Sequence, residues 1–246
     1  MARDVFDAVP AARQTVRQAD EVLGYKLSGL MFEGPEETLT ETVHAQPAIF
    51  AASVALLRSL PSLPSGVAFV AGHSVGEYTA LVAAEALAFA DGLRLVQERG
   101  RLMQEAGSET RGGMLAVLGV SDEDIDQACA AVAPLIACAA NYNAPGQTVI
   151  SGEDRGLTEV MQALKAKGAK RVLRLKVSAA FHSPVMHAAA ARLAEAIARV
   201  PIRAPRWPII GNASARPLTS EADIREELSA QIAAPVRWEA SVRWMV

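Results

Sequence analysis

This sequence predicts an α/β protein with a parallel core sheet and an inserted subdomain of β-α-β-β-α-β order. Three observations carry that expectation. Val67-Ala-Phe-Val-Ala71 is a β-prone apolar run that enters the turn Gly72-His-Ser74-Val-Gly76 and leaves it as an Ala/Leu-rich helical run to Ala84. Trp207-Pro-Ile-Ile-Gly211 is a second run of core-strand character. Between them, residues 113–178 read as strand, helix, strand, strand, helix, strand, the ferredoxin-like order. The expected domains are a large α/β-hydrolase-like subdomain in two parts, 1–111 and 179–246, and a small ferredoxin-like subdomain, 112–178.

Taken in order, residues 11–24 carry Val16, Ala19, Val22 and Leu23 at helical spacing and stop at Gly24, a C-terminal breaker. Ile49, Phe50, Val54 and Leu57 mark a helix with Pro47 expected in its first turn, closed by Pro61 to Pro64. After the Ser74 turn, Asp91 is the expected N-cap of a helix through Leu93, Leu95, Val96, Leu102 and Met103. In the inserted unit the strands are Met114–Leu118, Leu135–Ala140, Thr148–Ser151 and Val172–Val177. Its helices are Asp124–Val132 and Asp154–Lys167, the second stopped by Gly168. Ser183 and Pro184 are an expected N-cap and first helical residue for a helix through Met186, Leu193 and Ile197. Ser220 caps another through Ile224, Leu228 and Ile232. Outside the inserted unit only two core strands are expected.

Ser74 is the candidate nucleophile, because a Gly-x-Ser-x-Gly turn between strand and helix leaves the hydroxyl exposed at a sharp reversal. Gly72 and Gly76 are expected to permit close backbone approach there, and the Val75 N–H at the new helix start is a candidate oxyanion donor. Arg99 falls where the apolar stripe of its helix should continue, so its guanidinium must find an anion. A substrate carboxylate and a protein acid both suit an arginine fork. Of four histidines, His182 stands at the end of a connection just before a helix start and is the expected general base. His187 lies within a helix among alanines, His73 would point away from Ser74, and His44 has no companion. Asn141, in the Asn141–Gln147 link, is either a turn residue or an amide that orients a bound acyl group.

The totals narrow the partners. A net charge of −3 and a pI near 5.9 provide no global basic field for nucleic acid or an anionic membrane. Lys165, Lys167, Lys170, Arg171, Arg174 and Lys176 form a local basic concentration, either a solvated face or a dock for an acidic partner. Cys129 and Cys138 have neither Cys-x-x-Cys nor metal-ligand spacing and read as reduced, half-buried small hydrophobes. With no basic-then-apolar leader and no uninterrupted apolar run of spanning length, the expected location is the cytoplasm.

Gln46-Pro47, Gly72-His-Ser-Val-Gly-Glu77, Glu98-Arg99-Gly100 with Met103-Gln104, Asn141–Gln147, Phe181-His182-Ser-Pro184 and Asn212 together resemble the malonyl-CoA:acyl carrier protein transacylases and the acyltransferase domains of fatty acid and polyketide synthases. The resemblance runs from about residue 5 to 246. It implies that Ser74 takes malonyl from malonyl-CoA as an ester, in fatty acid biosynthesis. His182 would activate first that serine and then the phosphopantetheine thiol of acyl carrier protein. It further implies that Arg99 grips the malonyl carboxylate, that Gln46 and Asn141 line the pocket, and that a backbone carbonyl near Gln231 orients His182. No cofactor is implied, malonyl-CoA being the substrate. Val75 and Phe181 resemble malonyl-selective members, although Ala179 stands where many synthase domains have histidine. Family chains also carry an opening strand with a Phe-Pro-Gly-Gln-Gly oxyanion loop and a closing strand with a Gly-Pro-Gly turn, neither of which this chain contains. A polyketide-type acyltransferase, a serine thioesterase or hydrolase, and an inactive fragment are the competing expectations.

Overall fold

The structure, a computed structural model, describes residues 1–246 except Ser178, so the expected end of the inserted unit lies outside the described residues. In chain order the elements are α1 (Arg3–Ala8), α2 (Pro10–Leu23), α3 (Leu27–Glu33), α4 (Glu36–Thr40), α5 (Thr42–Arg58), β1 (Val70–Ala71), α6 (Gly76–Ala83), α7 (Phe89–Glu109), β2 (Gly112–Leu118), α8 (Asp122–Ala130), β3 (Ala137–Ala144), β4 (Gln147–Glu153), α9 (Asp154–Ala166) and β5 (Arg171–Arg174). A 3-10 turn, Pro184–Met186, then precedes α10 (His187–Ala198), β6 (Ile209–Ile210), β7 (Pro217–Leu218), α11 (Glu221–Gln231) and α12 (Trp238–Met245). The chain forms two compact units. One comprises 1–101, 195–210 and 217–225; the other comprises 102–194, 211–216 and 226–246.

In the first unit β1 and β6 pair in parallel, Val70 opposite Ile209 and Ala71 opposite Ile210. A third strand, β7, joins β6 antiparallel. Sequence patterning missed β7 because it is two residues long and opens on Pro217, which cannot donate to a ladder and is tolerated only at an edge. Helix α2 buries Ala12, Thr15, Val16 and Ala19 and ends at Gly24, whose φ of +74° needs no Cβ. Ala12 and Val16 pack with Ala55 of α5.

Helix starts differ from expectation at α5, α7 and α8, the last beginning at Asp122 and not at Asp124. Helix α5 begins at Thr42, so Pro47 sits inside it and not in its first turn. Thr42 and Val43 are held helical against α7, where a Cβ on Gly100 would stand 2.9 Å from the Thr42 carbonyl oxygen. Helix α7 begins at Phe89, which places Asp91 in the first turn, bonded to Arg94, and not at the N-cap. Phe89 stacks on Phe50 at 5.6 Å between ring centroids, and that contact draws the helix start back three residues.

The second unit holds a four-stranded antiparallel sheet ordered β3-β4-β2-β5, the ferredoxin-like arrangement. Leu115, Val117 and Ile150 from the sheet and Ile125, Leu157, Val160 and Leu164 from α8 and α9 form its core. The Asn141–Gln147 link expected between its middle strands contracts to Pro145-Gly146. Register shifts at Ala139/Asn141 and Tyr142/Ala144 absorb extra residues into a bulged β3, so Asn141 lies in a strand and not in a turn. Of the basic concentration, Lys167 pairs with Asp124 and Arg174 with Asp154, while Lys165, Lys170, Arg171 and Lys176 are exposed. Both cysteines are free thiols; burial pushes Cys129 up to about 12 and Cys138 up to about 11, so neither is a ready nucleophile. No helix among the described residues is long and apolar enough to cross a membrane.

Leu157 is fully buried in the small-sheet core. Leu157→Ala should lower unfolding free energy by about 2–5 kcal/mol, read as a lower urea midpoint at an unchanged slope.

Candidate active site

The turn after β1 is built around one glycine. A Cβ on Gly72 would collide with the carbonyl group of Gly76, whereas a Cβ on Gly76 would meet nothing within 4 Å. Only Gly72 is therefore sterically required, contrary to the expectation for both. Ser74 follows with φ +52°, the left-handed region, which costs a serine about 1–3 kcal/mol and persists where the surroundings enforce it. Gly76 N–H then bonds the His73 carbonyl at 2.9 Å and Glu77 N–H the Ser74 carbonyl at 3.0 Å, so α6 is already winding at the serine. The Val75 N–H, one residue into that reversal, has no acceptor among the described residues. A developing oxyanion on an acyl group at Ser74 would find that donor in place.

Arg99 reaches the same turn from α7. It is 1% exposed, donating from Nη1 to Gln46 Oε1 at 2.5 Å and from Nη2 to Ser74 Oγ at 3.0 Å. The absent side chain at Gly100 lets α7 lie close enough to α5 for Arg99 and Gln46 to meet. The guanidinium also lies 5.9 Å from the centroid of the Tyr78 ring. Burial pulls the Arg99 pKa down, while the fields of Tyr78 and of the buried Glu77 push it back up. An arginine pKa starts so high that the group remains a cation. Burial likewise raises Tyr78 to about 12, so its hydroxyl is neutral. Glu77 and Tyr78 were missed as supports for Arg99, though their place right after the serine turn, one helical turn from Ser74, could have flagged them.

His182 belongs to the second unit, is 4% exposed and, like Ser74, adopts a left-handed backbone, φ +55°. Its Nδ1 lies 3.0 Å from the Gln231 carbonyl oxygen and 3.1 Å from that of Ala234. Carbonyl oxygens only accept, so Nδ1 carries the proton and the basic lone pair is on Nε2. Gln231 is the last residue of α11, where the helix dipole is negative, and its carbonyl also accepts a turn bond from the Ala234 N–H at 3.3 Å. The opposite end of α11 is fixed by a capping box: Asp223 N–H bonds Ser220 Oγ at 3.2 Å and Ser220 N–H bonds Asp223 Oδ2 at 2.9 Å. Ala234 was not foreseen, since a backbone acceptor has no side-chain signature.

The Ser183 hydroxyl does not cap the following turn as expected. It donates 2.6 Å back to the Ala180 carbonyl, tightening the bend that carries His182. Among the other histidines, His187 and His73 are exposed, and His44 lies 3.9 Å from Glu41, a companion the sequence did not suggest. Asn141 is 7% exposed and forms a parallel bridge with Val236, two residues beyond Ala234. Gln46, Ser74, Val75 and Arg99 thus converge in the first unit, and Asn141, His182 and Gln231 are gathered in the second.

Residues 1–244 match the acyl transferase domain. The chain belongs to the acyl transferase domain family. Within it, the chain is 42% identical over 248 residues to the malonyl CoA-acyl carrier protein transacylase of Bacillus subtilis, an alignment that covers 100% of this chain and 78% of that protein. The acyl carrier protein S-malonyltransferase of Vibrio cholerae superposes with a TM-score of 0.94 at 39% identity, covering 100% of this chain and 81% of that one. A malonyl-transacylase solved in complex with its type II PKS acyl-carrier protein superposes with a TM-score of 0.95 at 41% identity, covering 100% and 80%. The Gly72–Gly76 turn stands between β1 and α6, the strand-to-helix setting that a serine nucleophile needs.

The asymmetry between the two glycines is directly measurable. Gly72→Ala should strip the protein of its cooperative thermal transition or lower its midpoint by several degrees, while Gly76→Ala should leave the midpoint within about 2 °C of the parent.

Proposed function

We propose that this chain is a malonyl-CoA:acyl carrier protein transacylase of fatty acid biosynthesis, working through an acyl-Ser74 intermediate. One observation carries the choice of acyl group: a buried cation, Arg99, whose Nη2 is 3.0 Å from Ser74 Oγ. A nucleophile held beside a guanidinium fits an acyl group with a carboxylate of its own, because the fork can release Ser74 and take both carboxylate oxygens. Gln46, on Nη1, keeps the fork in plane while it does so.

In the first half-reaction, Ser74 Oγ attacks the thioester carbonyl as His182 Nε2 takes its proton. The Val75 N–H donates a hydrogen bond to the oxygen on which negative charge develops, and the coenzyme A sulfur leaves with the proton returned by His182. In the second, the phosphopantetheine thiol of the carrier gives its proton to His182, attacks the Ser74 ester and releases the hydroxyl with that proton. The carbonyls of Gln231 and Ala234 hold the Nδ1–H tautomer, and the negative end of α11 favours the imidazolium that forms in each half. Asn141 is assigned to the pocket that receives the acyl chain.

Mixing the protein with malonyl-CoA should produce one malonyl adduct by intact mass, absent from Ser74→Ala; a soluble, folded parent without an adduct would refute the assignment. Arg99→Ala should cut kcat/KM for malonyl-CoA on the order of 10²–10³-fold while lowering that for acetyl-CoA far less, since only malonyl brings a carboxylate to the buried fork. Equal losses for both thioesters would make Arg99 structural.

A further inference from the structure

Glu227 is a buried carboxylate that the transfer chemistry does not use. It is 5% exposed on α11, one turn before Gln231. Its Oε1 accepts from the Ala213 N–H at 2.5 Å and its Oε2 from the Ser214 N–H at 3.2 Å, so both oxygens are committed to successive amides of one turn. The space it fills exists because residue 211 is glycine: a Cβ there would stand 2.6 Å from the Glu227 carboxyl carbon. The same turn presents the Asn212 carbonyl to the Arg237 N–H at 2.8 Å. Immediately before Arg237, Val236 is sewn into β3, its N–H on the Ala140 carbonyl at 2.8 Å and its carbonyl on the Tyr142 N–H at 2.9 Å.

These bonds bracket the segment that holds the histidine. Gln231 and Ala234, whose carbonyls face His182 Nδ1, lie between Glu227 on one side and Val236 and Arg237 on the other. We propose that Glu227 is a positioning residue for the His182 base: by clamping the 211–216 turn to the last turns of α11, it sets where the two carbonyl acceptors stand. Without the clamp the Asn212–Arg237 bond loses its fixed end, the carbonyl pair spreads, and Nδ1 loses one of its two acceptors. The imidazolium is then less stabilised, and its pKa falls. This role rests on the assignment of His182 as the base.

Glu227→Gln tests it in the full chain, because an amide is nearly isosteric but must turn one N–H donor towards a backbone N–H. Expected are a kcat for malonyl transfer lower on the order of 10-fold with KM within about twofold, the pattern of a misplaced base and not of lost substrate binding. The acidic limb of kcat/KM should also move to lower pH, a shift that a change of stability alone would not produce. Gly211→Ala, whose Cβ would meet both the Glu227 carboxyl group and Ser214 Oγ and so push the carboxylate off its turn, should move the limb in the same direction. It keeps the test open should the first variant fold poorly. In the parent, the imidazole of His182 should give the nitrogen NMR shifts of an Nδ1–H tautomer, and in either variant those shifts should move towards a tautomer mixture. A folded variant with unchanged kcat, unchanged acidic limb and unchanged histidine shifts would overturn the proposal. If His182→Ala itself retained malonyl transfer, the assignment of the base would fail instead; loss of transfer in His182→Ala with an indifferent Glu227→Gln would sink only the clamp.

Discussion

A guanidinium with almost no contact with water is the constraint around which the first unit is arranged. Removing one partner from a buried charge costs several kcal/mol, so Arg99 can exist only where other groups are brought to it. The chain does this with Gln46 from α5, Ser74 from the reversal after β1, and the ring of Tyr78 from α6. Three separate elements are therefore tied to one side chain of a fourth. Gly100 is the geometric condition for that meeting, since α7 touches the start of α5 where any side chain would intrude. In the proposed reaction the same cation would receive the substrate carboxylate, so the stability of this region and its acyl selectivity would draw on one charge.

The second unit holds an imidazole through backbone carbonyls. A carboxylate would hold the ring with a full charge. Here two carbonyls and the end of a helix hold it with partial ones. Partial charges act only at close range and in a fixed direction, which explains why the supports behind those carbonyls are so heavily bonded: a buried carboxylate on the last turns of α11 and a strand bridge through Val236. Ser74 and His182 both sit on left-handed backbone, at +52° and +55°. Strain of this kind is tolerated where neighbouring contacts leave no relaxed alternative.

Much of this was legible in one dimension. The Ser74 turn, the helix of Arg99, the break at His182 and the β-α-β-β-α-β order of the inserted unit all follow from local patterns of glycine, periodicity and turn chemistry. The boundaries that moved did so for tertiary reasons. Phe50 extends α7 back to Phe89, Gly100 draws α5 back to Thr42, and pairing with β4 lengthens β3 through Asn141. The strand β7 has too few residues to show a period, and it exists because β6 offers it an edge.

The linear order of residues was enough to specify which chemical groups are available: a hydroxyl on a glycine turn, an arginine out of place on an apolar stripe, an imidazole before a helix. Each is a property of a few neighbours along the chain, and short-range sterics and periodicity express it there. Folding alone decided what those groups touch. That Arg99 rests on Gln46 and Ser74, that His182 is held by Ala234 as well as Gln231, and that Glu227 closes on the amides of Ala213 and Ser214 depend on contacts between residues far apart in sequence. Backbone carbonyls and amides are the same at every position, so no residue type marks the ones that a fold will put to use.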